Sequence, residues 1–291
     1  MRVLVIGGTG FIGRYIVRRL VGSGHDVTVF HRGKTSVLLP NRMCEITDPL
    51  SATPLEIFPG EVLKLHPDVV VHTIAMGLSE AQGAVAAFAG KAARLVVLSS
   101  GDVYRAYGLL TGIESGPLEE GLLSESSSLR TVLFPYRSRA ASPHALEYWY
   151  EKIHVEQAVL VNKLLPAVVL RLPKVYGSEA NRDLATVYRY RHQPQWRWTH
   201  GYVGNVAAAV ELAAMHLSAQ GIYNVGEEHT PTVAERLSFM PASAIAPDLE
   251  SHFNFAQNIA YDTSRIRTQL GYREEIPERE AMLKTLRNEA D

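Results

Sequence analysis

The 291-residue chain holds a single cysteine, Cys44, so an intrachain disulfide is excluded and a reducing compartment is expected. No apolar run approaches the ~18 residues of a membrane-crossing helix. The most apolar candidate, 203–214, is interrupted by Glu211 and reads as a packed helix. Neither sign of charge is in excess. Lys and Arg total 29 against 30 Asp and Glu, a formal net charge of −1. No global field therefore recruits nucleic acid or an anionic membrane. The 11 histidines show no metal-ligand spacing such as HExxH, and no metal is expected. Internal repeats and low-complexity tracts are also missing. The first strand is expected from Arg2, which leaves no room for a cleaved signal peptide and points to the cytoplasm. With 46% apolar and 20% charged residues, the chain can bury the core of one large domain or two unequal ones.

The densest signal lies at the start. Val3-Leu4-Val5-Ile6 is a short apolar run of the kind a buried parallel strand needs. Gly7-Gly8-Thr9-Gly10-Phe11-Ile12-Gly13 follows, and Ile16, Val17, Leu20 and Val21 then repeat at helical spacing. Strand, glycine turn and helix form the context of a dinucleotide-binding loop. Gly7 permits the tight turn, Gly10 lets the backbone approach a pyrophosphate, and Gly13 lets helix and strand pack closely. The first helical turn, with Phe11 and Ile12, presents free N–H groups and the positive end of the helix dipole.

Short β-branched runs recur at 27–30, 69–71, 95–98, 167–170 and 223–225, separated by helical segments or loops. That alternation predicts an α/β fold with a parallel sheet covered on both faces. Ligands on such sheets bind beyond the carboxyl ends of the strands. The residues there are His31 and Arg32, Asp48, His72 to Ala75, Ser99 and Ser100, and Arg171 to Tyr176. The segment 104–142 lacks clear periodicity and reads as a long loop over the site.

Tyr148 and Lys152 form a YxxxK pair, and no other tyrosine has a lysine four residues on. In a helix these two side chains share a face. A phenol with an ordinary pKa near ~10 is a poor base at neutral pH, and a neighbouring ammonium draws it toward the working range. It can then take a proton from a hydroxyl or give one to a carbonyl.

The GxxGxxG loop resembles that of the short-chain dehydrogenase/reductase superfamily. GGTGFIG in particular resembles its extended branch, the epimerase/dehydratase family. The resemblance extends to Ser99-Ser100-Gly101-Asp102-Val103-Tyr104, to Lys152-Ile153-His154-Val155-Glu156 and to Leu170-Arg171-Leu172-Pro173-Lys174-Val175-Tyr176-Gly177. It continues through 202–207, with Asn205 in place of the family's Asp, and through 222–226, 262–265 and 270–272. It implies a doubly wound (Rossmann) sheet with a small C-terminal substrate-binding lobe. The expected boundaries are 1–173, with 201–226 returning to it, for the dinucleotide-binding domain, and 174–200 with 227–291 for the lobe. It implies a catalytic set of Ser100, Tyr148 and Lys152, with Tyr148 as acid/base, Ser100 orienting the reacting oxygen and Lys152 on the nicotinamide ribose. The activity implied is hydride transfer between a secondary alcohol and a ketone by an NAD(P)-dependent oxidoreductase or epimerase, on a small molecule such as a sugar nucleotide. A homodimer is the family default, with Ile153, Val155, Val159 and Leu160 facing either an interface or the core.

No carboxylate ends the second strand, where an NAD-binding fold commonly carries one for the ribose 2′-hydroxyl. Arg32, Lys34 and Arg14 stand near instead, and a planar guanidinium can clasp a 2′-phosphate, so NADP is preferred to NAD. Asp48 and Ala75 complete the expected cofactor contacts, although Asp48 equally suits a surface turn. On the substrate side stand Lys174, Arg182, Arg189 and Arg197. The arginines alternate with Tyr188, Tyr190, Trp196 and Trp198, which either stack on a base or fill a core. Lys174 occupies a position where many sugar-nucleotide enzymes of the family carry Asn. Asp102, Glu125 and Lys174 are further acid/base candidates by location. The turn 30–34 also resembles RNA-binding relatives of the family, so a non-catalytic RNA-binding or cofactor-sensing protein is the alternative. Near-neutral charge argues against nucleic acid as a partner.

Overall fold

The computed structural model describes residues 1–35, 37–51, 54–216 and 218–288. Its strands are β1 (Arg2–Ile6), β2 (Asp26–His31), β3 (Cys44–Thr47), β4 (Val69–His72), β5 (Arg94–Ser100), β6 (Ala167–Leu172), β7 (Lys174–Tyr176), β8 (His200–Tyr202) and β9 (Gly221–Asn224). Seven of them make one sheet in the order β3-β2-β1-β4-β5-β6-β9, while β7 and β8 pair separately. The apolar runs read from the sequence fall on strands of this sheet, except that 223–225 overruns the end of β9 by one residue. Because β1 lies between β2 and β4, Val3 faces Val27 on one side and Val69 on the other, both parallel. The chain order reverses there, which opens a crevice at the carboxyl ends of β1 and β4.

Valine-rich strands suit a sheet buried on both faces. Leu4, Ile6, Val70, Leu95 and Val97 from the strands pack with Phe58, Phe88, Val155 and Val159 in one apolar cluster. Val155 and Val159 thus belong to the core, and Ile153 is buried as well. Leu160 alone of the four candidate interface residues is exposed. No described helix is long and apolar enough to cross a membrane.

The chain divides into two compact units. The first comprises 1–100, 133–171 and 207–223, and the second 101–132, 172–206 and 224–291. The second unit therefore takes in 101–132, which the sequence places in the first domain. Main-chain and side-chain hydrogen bonds tie that stretch there. Leu123 N donates to Ala260 O at 2.7 Å, and Tyr104 Oη donates to Asn224 Oδ1 at 2.5 Å. Nor is 104–142 wholly loop, since Arg105–Thr111 is helical and buries Ala106, Leu109 and Leu110. Seven residues carry about two turns, too few for a periodicity to stand out.

Candidate functional site

The site begins at the turn after β1. Gly7 sits at φ 84°, in the left-handed region, and a Cβ there would lie 2.5 Å from Thr73 Oγ1 and 2.6 Å from Ile74 Cγ2. Thr73 Oγ1 donates to both Ile6 O and Gly7 O, bracing the turn from β4. A Cβ on Gly13 would come within 2.4 Å of Gly7 O, so the following helix lies directly on the loop. That helix spans Phe11–Gly22, and it begins at Phe11 as the sequence places its first turn, five residues before the apolar repeat at Ile16. Its first turn has no side-chain cap and no acidic residue. Gly10 is exposed at its N-terminus, and the nearest atom to a Cβ on it would be 3.9 Å away. The backbone donors there remain for an anion, as a pyrophosphate requires.

A cavity of ≈ 220 Å³ opens beside the loop, lined by Gly7, Thr9, Gly10, His31, Arg32 and Lys34 among others. Arg32 and Lys34 thus stand beside the glycine loop, as their sequence positions imply. Asp48 does not join them. Its carboxylate accepts from Leu50 N and Ser51 Oγ in its own turn, and it lines a separate cavity with Ser51 and Pro59. The end of β2 is not free of carboxylate, however. Gly33 N donates to His31 Nδ1, which leaves Nε2 to carry the ring proton toward Glu45 Oε1 at 2.6 Å. Glu45 comes from β3, so a reading of β2 alone cannot find it.

Lys152 is buried at the ends of the next two strands. Its Nζ donates to Ala75 O at 2.6 Å and to Leu98 O at 2.9 Å. Its charge, after burial itself, helps to push the His72 imidazole down to about 3. Neither ring nitrogen of His72 finds a hydrogen-bond partner among the described residues. Burial raises the Glu80 carboxyl, against the N–H groups of Met76 and Gly77 that donate to its Oε2. Thr73 lies within the 72–75 stretch that the sequence singles out, whereas sequence reasoning misses Glu80, which was findable as the third helical residue after Gly77 at a helix start. The two serines at the end of β5 separate cleanly. Ser99 is buried and donates to Glu156 Oε1 at 2.6 Å, and Glu156 is held by a two-pronged pair with Arg171. Ser100, on the opposite face of the strand, is only half-buried.

Tyr148 and Lys152 do not share a helix face. One helix covers Leu146–Trp149 and the next begins at Lys152. Between them Tyr150 (ψ 114°) and Glu151 (φ −155°, ψ 98°) are extended. Three contacts hold the break. Glu151 N donates to Met76 O, its Oε2 accepts from Phe134 N at 2.6 Å, and its Oε1 caps the second helix at Ile153 N. The Trp149 carbonyl also packs on Gly77, where a Cβ would lie only 2.8 Å from it. The Tyr148 ring faces the Arg137 guanidinium, 4.8 Å from its centroid, and Arg137 Nε donates to Tyr148 O. Lys152 Nζ instead lies 5.7 Å from the centroid of the Tyr150 ring.

In the second unit the aromatics of the alternating stretch prove to be core, and its arginines lie outside it. Trp196 and Tyr190 are buried against Phe255, with ring centroids 5.1 and 5.0 Å away. Arg197 donates to Thr230 O, while Arg182 and Arg189 are exposed. Lys174 is half-buried, and burial lowers its ammonium below the usual range.

The model of the NAD dependent epimerase/dehydratase family matches residues 3–226. Among curated proteins, the 2'-dehydrokanamycin reductase of Streptomyces kanamyceticus is 28% identical over 186 residues. That match spans 63% of this chain but only 45% of the reductase. Among solved structures, the UDP-glucose 4-epimerase of Thermus thermophilus in complex with NAD is 23% identical, at a TM-score of 0.67. The UDP-glucuronic acid 4-epimerase of Bacillus cereus, in complex with UDP-glucuronic acid and NAD, is 17% identical, at a TM-score of 0.70. Each covers 99% of this chain and 98% of the other. These structures hold NAD, which corrects the preference for NADP drawn from the basic turn after β2. The turn after β2 is also less uniformly basic than its sequence reads, because the neighbouring strand brings the Glu45 carboxylate to His31. The matched region takes in the glycine loop, Ser100 and Lys152, and the chain belongs to the NAD dependent epimerase/dehydratase family.

Proposed function

We propose that the protein is an NAD-dependent enzyme that interconverts a secondary hydroxyl and a ketone on a sugar, with a sugar nucleotide as the leading substrate class. The observation that carries this reading is the convergence of the glycine loop, Lys152 and Ser100 at the carboxyl ends of β1, β4 and β5. The loop fits a dinucleotide, since Gly10 leaves a Cβ-free approach to uncapped helical N–H groups. Gly7, Gly10 and the first turn at Phe11, Ile12 and Gly13 would hold the pyrophosphate, and the cavity with His31 and Arg32 would take the adenosine end. Bound NAD supplies the hydride acceptor or, reduced, the donor, which leaves one proton for the protein to carry.

The protein's own groups handle that proton. Ser100 orients the reacting oxygen, and a phenol from the 148–150 segment exchanges the proton with it. Lys152, fixed by two carbonyls, supplies the positive field that favours phenolate. The sugar substrate is supported by the relatives, whose names place their activity on UDP-glucose, UDP-glucuronic acid and 2'-dehydrokanamycin. A homodimer in the cytoplasm belongs to the same reading.

Calorimetric titration with NAD tests it first. NAD is expected to bind, and addition of UDP-glucose or UDP-glucuronic acid is expected to change the absorbance of the bound nicotinamide. Absence of NAD binding by the folded protein would sink the proposal.

A further inference from the structure

We propose that Tyr150, and not Tyr148 with its motif spacing, is the residue whose hydroxyl exchanges a proton with the substrate oxygen. The inference rests on the hydride-transfer reading above and names the proton carrier within it.

The argument is one of backbone period. On a helix, side chains four residues apart share a face; on an extended chain, side chains two apart do. The chain is extended at Tyr150 and Glu151, so the residue that shares a side with Lys152 is Tyr150. The ring contact agrees, with Nζ lying 5.7 Å from the Tyr150 centroid. This arrangement is fixed from several directions. Glu151, between the two, is fully buried and held by its bonds to Met76, Phe134 and Ile153. Lys152 is held by Ala75 O and Leu98 O, and the Tyr150 ring packs on Tyr136 at 5.1 Å.

Tyr148 is engaged elsewhere. Arg137 stacks on Phe134 at 3.6 Å, on Tyr148 at 4.8 Å and on Trp149 at 5.4 Å, and it bonds the Tyr148 carbonyl as well. For Tyr148 to meet Lys152 as on a helix, residues 150–151 would have to become helical. That would cost the Glu151 cap and the bond to Met76 O together. Tyr150 needs no such change. It is half-buried, so its hydroxyl can meet a ligand while its ring stays under the ammonium. In the forward direction Tyr150 Oη as phenolate takes the hydroxyl proton and becomes the phenol; in reverse it returns that proton to the carbonyl oxygen. The charged groups around it do not compete for this role. The Glu151 and Glu80 carboxylates face main-chain N–H groups, and His72 is held neutral.

The test is a spectrophotometric pH titration of tyrosinate in the ligand-free protein. It compares wild type with Tyr150→Phe, Tyr148→Phe and Lys152→Met, with circular dichroism to confirm the fold. One tyrosine in the wild type is expected to titrate at least about one unit below the ordinary value near 10. It should vanish in Tyr150→Phe, persist in Tyr148→Phe and move upward in Lys152→Met. A low-titrating tyrosine that survives in Tyr150→Phe or vanishes in Tyr148→Phe would overturn the assignment, as would its absence from the wild type. A variant that loses its fold is replaced by direct tyrosine ring-carbon NMR on the wild type, which reads the same shift. NAD binding by the wild type reports separately on the underlying reading, so the two can fail independently.

Discussion

In the first unit the buried ammonium of Lys152 is held by two main-chain carbonyls, whereas in the second the guanidinium groups of Arg236 and Arg267 are held by the carboxylates of Glu278 and Glu274. Carbonyl oxygens satisfy the hydrogen bonds of a cation but leave its charge standing. Carboxylates cancel it. The charge of Lys152 acts on both His72 and the Glu80 carboxyl. The paired arginines bind the second unit together and give their charge back to it. Arg171 with Glu156 shows the paired pattern inside the first unit, where it fixes Ser99.

The largest effect should come from breaking a pair in the second unit. Glu278→Ala leaves Arg236, 1% exposed, without its two-pronged partner. Urea unfolding should show a loss of about 3–5 kcal/mol. A loss below about 1 kcal/mol would erase the contrast between the units.

The pH dependence, smaller over any one pH unit, should be opposite in sign for the two units. His72 has a folded value of about 3, below its unfolded one. Its contribution is therefore complete above the unfolded value near ~6.5 and is lost as pH falls toward 3, at up to about 1.4 kcal/mol per pH unit. Burial, and after it the charges of Glu274 and Glu278, push Glu227 up to about 8. Its contribution is complete below the unfolded value near ~4.3 and is lost as pH rises toward 8. Melting temperature against pH should thus lose its acid slope in His72→Asn and its alkaline slope in Glu227→Gln. The same slopes in wild type and variants would remove both groups from the account.

The smallest effect sharpens the contrast rather than breaking it. In Gly10→Ala the new methyl meets nothing closer than 3.9 Å, so stability should stay within about 0.5 kcal/mol. Calorimetry should nevertheless find NAD affinity reduced by about tenfold or more, because the methyl occupies the approach to the helical N–H groups. Equal affinity would place the pyrophosphate elsewhere.

Most of the sheet was legible because its central strands are runs of apolar, mostly β-branched residues, and the glycine loop because Gly7 and Gly13 answer local steric demands. The distinction between Ser99 and Ser100 came from the family resemblance, four residues before Tyr104, and the alternation of β5 separates the same two side chains. What stayed hidden depends on residues far apart in the chain. The helix break at Tyr150 and Glu151 is set by Met76, Gly77 and Phe134, and nothing in the local spacing of Tyr148 and Lys152 reports it. The carboxylate at the end of β2 arrives from β3. The aromatics of 188–198 resemble a binding surface in sequence, and only the fold brings Phe253 and Phe255 to cover them.

Ser99 and Ser100 are neighbours in β5, one locked to Glu156 and the other turned to the opposite side. Because pleated chain alternates, sliding β5 by a single position past β4 would exchange their surroundings, burying Ser100 and exposing the anchored Ser99. The Glu156–Arg171 clamp on Ser99 thus works as an alignment pin for the whole strand, and Ser100 inherits its position from a bond it does not make.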